Sequence, residues 1–188
     1  MILLSSHTDV VTPRLNLSYN GGNHYGLLDN FIGILTTYLT LYSSPAIRLL
    51  EKESKISIYH NTMEEFGILH NAPKLFEGDI VINIDVCSNN EYDNYDIAIE
   101  NIYGIENINS VIENLEWEGY KILKKEYTGD LEDEDEAFEW IKKQQPVLSF
   151  IIPIQSRGNG WHKENSIISN EVVLKASECL SRLICYLL

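Results

Sequence analysis

The chain has 188 residues, 44% of them hydrophobic, which is enough for one well-buried domain and too few for two ordinary domains without a visible linker. Its 14 Lys and Arg against 28 Asp and Glu give a formal charge of -14, which excludes unaided binding to nucleic acid or to an anionic membrane, because neither finds a basic patch to neutralise. Residues 1–188 therefore read as a single domain with no nucleic-acid and no membrane partner.

Met1 to Thr8 opens with a short apolar run and reads as a strand. The run is too short for a signal peptide, has no basic start, and no later segment reaches membrane-spanning length, so a cytoplasmic protein is expected. Apolar residues from Phe31 to Tyr42 recur at helical spacing, predicting a helix over 30–42 that Pro45 ends or restarts. Lys55 to His60 alternates like a strand. Asp79 to Val86 is almost unbroken apolar sequence, the pattern of a strand buried on both faces. Tyr95 to Ile99 reads as a further strand, Asn107 to Trp117 as a helix and Tyr120 to Lys124 as extended chain.

The acidic run from Asp130 to Glu136 reads as a solvated loop and the acidic start of a helix over 134–143, with Ala137, Phe138 and Ile141 inward. Val147 to Ile154 is a central strand. Asn170 to Leu188 is a packing helix with one apolar stripe, capped near Ser169 or Asn170. Cys87, Cys179 and Cys185 lie in apolar surroundings without paired spacing, and read as reduced core thiols. Alternating strands and helices predict an α/β fold with helices packed on a mixed, largely parallel sheet.

The residues able to do chemistry stand at the ends of these strands. His7 and Asp9 follow the first strand abruptly, where open α/β sheets assemble ligand sites. Asp29 opens a helix, as a ligand or as an acid favoured by the helix dipole. Glu64 and Glu65 follow a strand, either as a surface pair or as one ligand and one proton acceptor. Asp85 interrupts the apolar run Ile80 to Val86, where an ionised carboxylate needs a partner; a metal is a good one. His162 sits on a glycine-containing loop after the strand ending at Ile154. His24, His60 and His70 read as peripheral, although His24 is close enough to Asp29 in sequence to enter the same pocket. Together the set is the inventory of a two-metal hydrolase, with Asp9 suited to holding His7 in one tautomer.

In order along the chain, Ser6-His7-Thr8-Asp9, Gly26-Leu27-Leu28-Asp29-Asn30, Glu64-Glu65-Phe66-Gly67, Ile84-Asp85-Val86 and the segment from Ile152 to His162 resemble the motifs of the co-catalytic di-zinc exopeptidase clan of aminopeptidases, aminoacylases, deacetylases and carboxypeptidases. The resemblance implies a three-layer α/β/α fold, N-terminally shortened and in a compact form without a lid or dimerisation domain, and an open pocket. It implies two divalent metal ions, zinc with cobalt or manganese as alternatives. His7 and Asp85 would bind one ion and Glu65 and His162 the other, with Asp29 bridging. Glu64 would act as general base, and Asp9 would complete the catalytic set by steadying His7. It also implies a cis peptide between Asp29 and Asn30.

Through the same resemblance, Asp85 and the glutamate pair imply the aminopeptidase branch over the deacetylase branch, with short peptides as substrates. Two alternatives stay open: an amidohydrolase acting on N-acyl amino acids, for which Arg157 could hold a substrate carboxylate, and a non-catalytic relative that binds metal or ligand. A homo-oligomer is compatible with each.

Overall fold

The first strand, β1 (Ile2–His7), is buried at every position, as befits an interior strand covered on both faces. The computed structural model that carries it describes residues 1–9, 17–63, 68–88, 90–127, 136–156 and 166–188. Then follow β2 (Ser18–Asn20), β3 (Asn23–Gly26), α1 (Phe31–Ser43), α2 (Pro45–Lys52), β4 (Ile56–Asn61) and β5 (Ile80–Cys87). A 3-10 turn at Asn90–Tyr92 leads to β6 (Ile97–Tyr103), α3 (Ile108–Trp117), β7 (Ile122–Glu126), α4 (Glu136–Lys142), β8 (Val147–Pro153), β9 (Gln155–Ser156), β10 (Ser166–Ser169) and α5 (Asn170–Leu187).

Six strands form the central sheet in the order β4-β1-β5-β8-β6-β7. It is mixed and mostly parallel, since only β6 against β8 is antiparallel. The pleat divides its side chains between two cores. Ile2, Leu4, Ile82 and Ile84 pack with residues of α1, α2, α3 and α5, whereas Leu3, Val81 and Val147 pack with Ala137 and Trp140 of α4. The result is an α/β fold with helices on both faces of the sheet.

β1 has β4 on one side and β5 on the other, so the chain leaves it in opposite directions. The carboxyl ends of β1 and β5 meet at this reversal, the place where open α/β sheets form a crevice.

A second sheet, in the order β2-β3-β10-β9, was not foreseen from the sequence. Its strands are two to four residues long, and β2 is exposed throughout, so no apolar alternation announces them. A local signal does exist. Gly21 and Gly22 join β2 to β3 with φ of 58° and 81°, the left-handed pair that a two-residue hairpin turn requires.

Among the cysteines, Cys179 is buried, Cys87 is half-buried and Cys185 is exposed, which corrects the expectation of three core thiols. No helix among the described residues is long and apolar enough to cross a membrane.

Candidate metal centre

β1 changes character along its length. Ile2, Leu3 and Leu4 fill the core, and Ser5, Ser6 and His7 are equally buried but polar, so each must find a partner. Ser5 donates to the Glu136 carboxylate, Ser6 Oγ lies 2.9 Å from His60 Nδ1, and His7 faces two aspartates.

The first of these is Asp29, only 5% exposed, which follows the core residues Leu27 and Leu28. The Asp29–Asn30 peptide is cis. Asn30 fixes the junction: its side-chain oxygen accepts the Gly33 N–H at 2.9 Å and caps α1, while its amide donates to the Ile84 carbonyl at 2.6 Å. A Cβ built on Gly33 would stand 2.1 Å from Asn30 Oδ1, so glycine leaves the space that the capping side chain fills.

The second aspartate, Asp85, follows Ile84 on β5. Its Oδ1 accepts the Val86 N–H at 2.7 Å and lies 3.5 Å from His7 Nε2. His7 Nε2 is 2.8 Å from Asp29 Oδ1. On the opposite side of the ring, Nδ1 donates to the Asp9 main-chain carbonyl at 3.1 Å and lies 3.5 Å from the Asp9 carboxylate. One ligand atom from each of His7, Asp29 and Asp85 lies within 4.8 Å of the others, the single such group among the described residues.

Burial works against a charged His7 imidazole, but the hydrogen bonds and charges of Asp29 and Asp85 outweigh it and hold the imidazolium well above the usual histidine range. A proton on His7 therefore neutralises part of a carboxylate pair of which Asp29 is buried and Asp85 half-buried. A divalent cation suits the same place: the donors are one imidazole nitrogen and carboxylate oxygens, a set that accepts zinc, cobalt or manganese. The Nδ1 bond to Asp9 turns Nε2 toward the carboxylates, as a ligating imidazole requires.

Glu64, Glu65 and His162 lie outside the described residues, as do Arg157 and most of the acidic run. The peripheral histidines have other partners. His24 lies beside Tyr19 and Phe31, with ring centroids 5.0 and 6.3 Å away. His70 Nδ1 lies 2.9 Å from the Thr62 hydroxyl. His60 touches Ser6 and Tyr38, and burial, partly offset by its bond to Ser6, lowers its pKa and favours the neutral ring.

The described part of the acidic run overturns one expectation. Glu136 is 2% exposed, not solvated, and accepts from both Ser5 and Trp140 Nε1, the latter at 3.1 Å. The charge-rich sequence concealed it. The capping residue Asn30 was also missed as a support, although it lies in the quoted Asp29 segment.

No family model and no curated protein sequence matches the chain. Solved structures do match. Aminopeptidase I from Clostridium acetobutylicum superposes with a TM-score of 0.60 at 12% identity, over 89% of this chain and 46% of that one. An aminopeptidase from the archaeon Desulfurococcus kamchatkensis gives 0.59 at 14% identity, over 90% and 51%. The S. cerevisiae mApe1 dodecamer gives 0.53 at 11%, over 89% and 49%. The fold is aminopeptidase-like, and the chain spans about half the length of these structures.

Proposed function

We propose that this chain is a metal-dependent exopeptidase of the aminopeptidase kind, hydrolysing amide bonds of short peptides. The observation that carries the proposal is the convergence of His7 Nε2 on Asp29 at 2.8 Å and on Asp85 at 3.5 Å, at the carboxyl edge of the sheet. Similarity of fold to aminopeptidases adds support at the level of architecture.

His7 and Asp85 would hold one divalent ion, Glu65 and His162 a second, and Asp29 both. Two such ions acidify water and polarise a carbonyl, the chemistry that amide hydrolysis near neutral pH requires. Glu64 takes the proton of the attacking water on its carboxylate and passes it to the leaving nitrogen. Asp9 keeps the His7 proton on Nδ1, leaving Nε2 for ligation. The acidic surroundings suit the free amino terminus of a peptide. Because one fold neighbour is a dodecamer, self-association belongs to the proposal, with light scattering as its check.

The test is elemental analysis of gently purified protein, followed by zinc reconstitution and a panel of aminoacyl and N-acyl amides. Release of N-terminal residues that chelation and Glu64→Gln both abolish supports the aminopeptidase. Turnover confined to N-acyl substrates would replace it with an amidohydrolase, and full metal occupancy without turnover would replace it with a binding protein.

A further inference from the structure

The two edges of the central sheet differ. β7, at one edge, carries Lys124, Lys125 and Glu126, and its register with β6 shifts between Ile99 and Ile102. Charges and irregularities of this kind keep an edge from joining another strand. β4, at the other edge, has neither. Its sequence Ile-Ser-Ile-Tyr-His-Asn holds no proline, lysine, arginine or acid, and it pairs with β1 without interruption from Ile56 to Asn61.

The backbone shows which groups β4 leaves over. The Ile2 N–H donates to the Lys55 carbonyl at 2.8 Å and the Thr8 N–H to the Asn61 carbonyl at 2.7 Å, so in this parallel ladder β1 takes the main-chain groups of Lys55, Ser57, Tyr59 and Asn61. The N–H and C=O groups of Ile56, Ile58 and His60 point the other way, and they have no partner among the described residues. An open groove lies beside Ile56, Ser57 and Ile58.

The outward residues are spaced symmetrically about Ile58. A second β4 laid antiparallel and centred there sets Ile58 against its counterpart and Ile56 against the His60 of the copy, and each opposed pair exchanges both hydrogen bonds. Every outward donor and acceptor on both copies is then satisfied, the self-complementarity that a two-fold interface requires. Charge favours the same occupant. Copies of a chain carrying -14 repel one another, yet no acid lies between Ser54 and Met63, so two β4 strands meet without like charges opposed.

Apolar surface adjoins the strand on the face of Ile58 and His60. The Tyr38 Oη lies 3.2 Å from His60 Nε2, and Tyr42, 69% exposed, stacks on Tyr38 with ring centroids 6.2 Å apart. A six-residue edge is only about 20 Å long, so these rings add area that backbone pairing alone lacks, and the interface stays below the standard size.

We propose that two copies of this chain pair through β4, antiparallel and centred on Ile58, and join their central sheets into one. The pairing uses no residue of the metal centre and stands apart from the exopeptidase proposal.

The test follows the whole protein by sedimentation equilibrium and by amide exchange read by NMR. A monomer–dimer equilibrium with a Kd of about 1–100 μM is expected, the range of a small interface. Ile58→Pro deletes one outward N–H and leaves the bonds to β1 in place, so it should weaken the dimer at least about tenfold. Exchange at Ser57 and Tyr59 should be slow at every concentration, whereas at Ile56, Ile58 and His60 it should slow by about tenfold or more as the dimer fills. A chain that stays monomeric at about 1 mM, or an Ile58→Pro variant that dimerises like wild type, overturns the proposal. A dimer whose Ile56, Ile58 and His60 amides exchange freely uses another surface, and slow exchange there in dilute monomer means that another segment covers the edge; either result overturns it too. Should Ile58→Pro fail to fold, the exchange of the wild-type protein decides. None of these measurements requires zinc or turnover, so failure here leaves the exopeptidase proposal standing, and failure of that proposal leaves this one.

Discussion

The Asn30 carboxamide donates to the Ile84 carbonyl at 2.6 Å, and the residues beside these two, Asp29 and Asp85, are the carboxylates that face His7. A single hydrogen bond therefore joins the start of α1 to β5 at the point where the two acids converge. Because Asn30 also caps α1, it holds Asp29 from both directions.

Asn30→Ala removes a helix cap and leaves the buried Ile84 carbonyl without this donor. The expected cost is about 2–4 kcal/mol, combining a lost cap with an unsatisfied buried acceptor, and urea denaturation measures it. Gly33→Ala acts on the same side chain by pushing Asn30 out of its place, at a cost of about 1–3 kcal/mol. Zinc affinity should fall with stability in both variants, and unchanged zinc affinity would contradict the role of Asn30 in placing Asp29.

Zinc binding should release a proton. With His7 held protonated by Asp29 and Asp85, a cation must displace that proton to reach Nε2. Calorimetry in buffers of different ionisation enthalpy should show about one proton leaving for the ion bound at His7, and weaker binding as pH falls. Asp85→Asn withdraws one of the charges that hold the proton, so it should reduce the proton release and weaken zinc binding together.

Glu136 separates charge from hydrogen bonding. Glu136→Gln retains an acceptor for Ser5 and Trp140 and should cost less than about 1.5 kcal/mol, whereas Glu136→Ala orphans both donors beneath α4 and should cost about 2–4 kcal/mol. Chemical denaturation of the pair distinguishes them, and equal costs would show that the acceptor retained by glutamine adds nothing for Ser5 and Trp140.

Alkaline pH should destabilise the fold through Cys179. Burial chiefly, helped by the charges of Asp96 and Glu118 and opposed by Lys175, pushes this thiol from 9.0 up to about 12. The unfolded chain then loses its proton first as pH rises, so the contribution is complete below pH 9.0 and is lost progressively toward about 12. A shift of this size corresponds to roughly 2–4 kcal/mol across the window. Cys179→Ala should flatten the stability profile there, and in the native protein thiol reagents should reach exposed Cys185 well before Cys179.

Much of the central sheet was legible because its strands are long and apolar enough to carry a period. The Ile80 to Cys87 strand declared itself by composition, and Asp85 stood out because a carboxylate in that setting demands a partner. The second sheet was silent because Ser18, Tyr19 and Asn20 are exposed and bury nothing, so only the Gly21-Gly22 turn marked it. Glu136 was hidden for the opposite reason: a run of acids looks solvated, and only the long-range approach of Ser5 and the nearby Trp140 shows where the chain turns inward. The convergence of His7 with Asp29 and Asp85 depends on strand order and on the Asn30 bond, neither of which spacing along the chain encodes.

In the proposed two-ion centre, His7, Asp29 and Asp85 supply one half, and Glu65 and His162 complete it. Zinc stoichiometry by mass spectrometry of reconstituted wild type, Asp85→Asn and His162→Ala tests it most directly. Two ions per chain are expected in wild type, with one weakened or lost in each variant, in keeping with the roughly 10–100-fold losses that follow when a metal shell is disturbed. Wild-type protein that retains no zinc, or two ions indifferent to both substitutions, would contradict it.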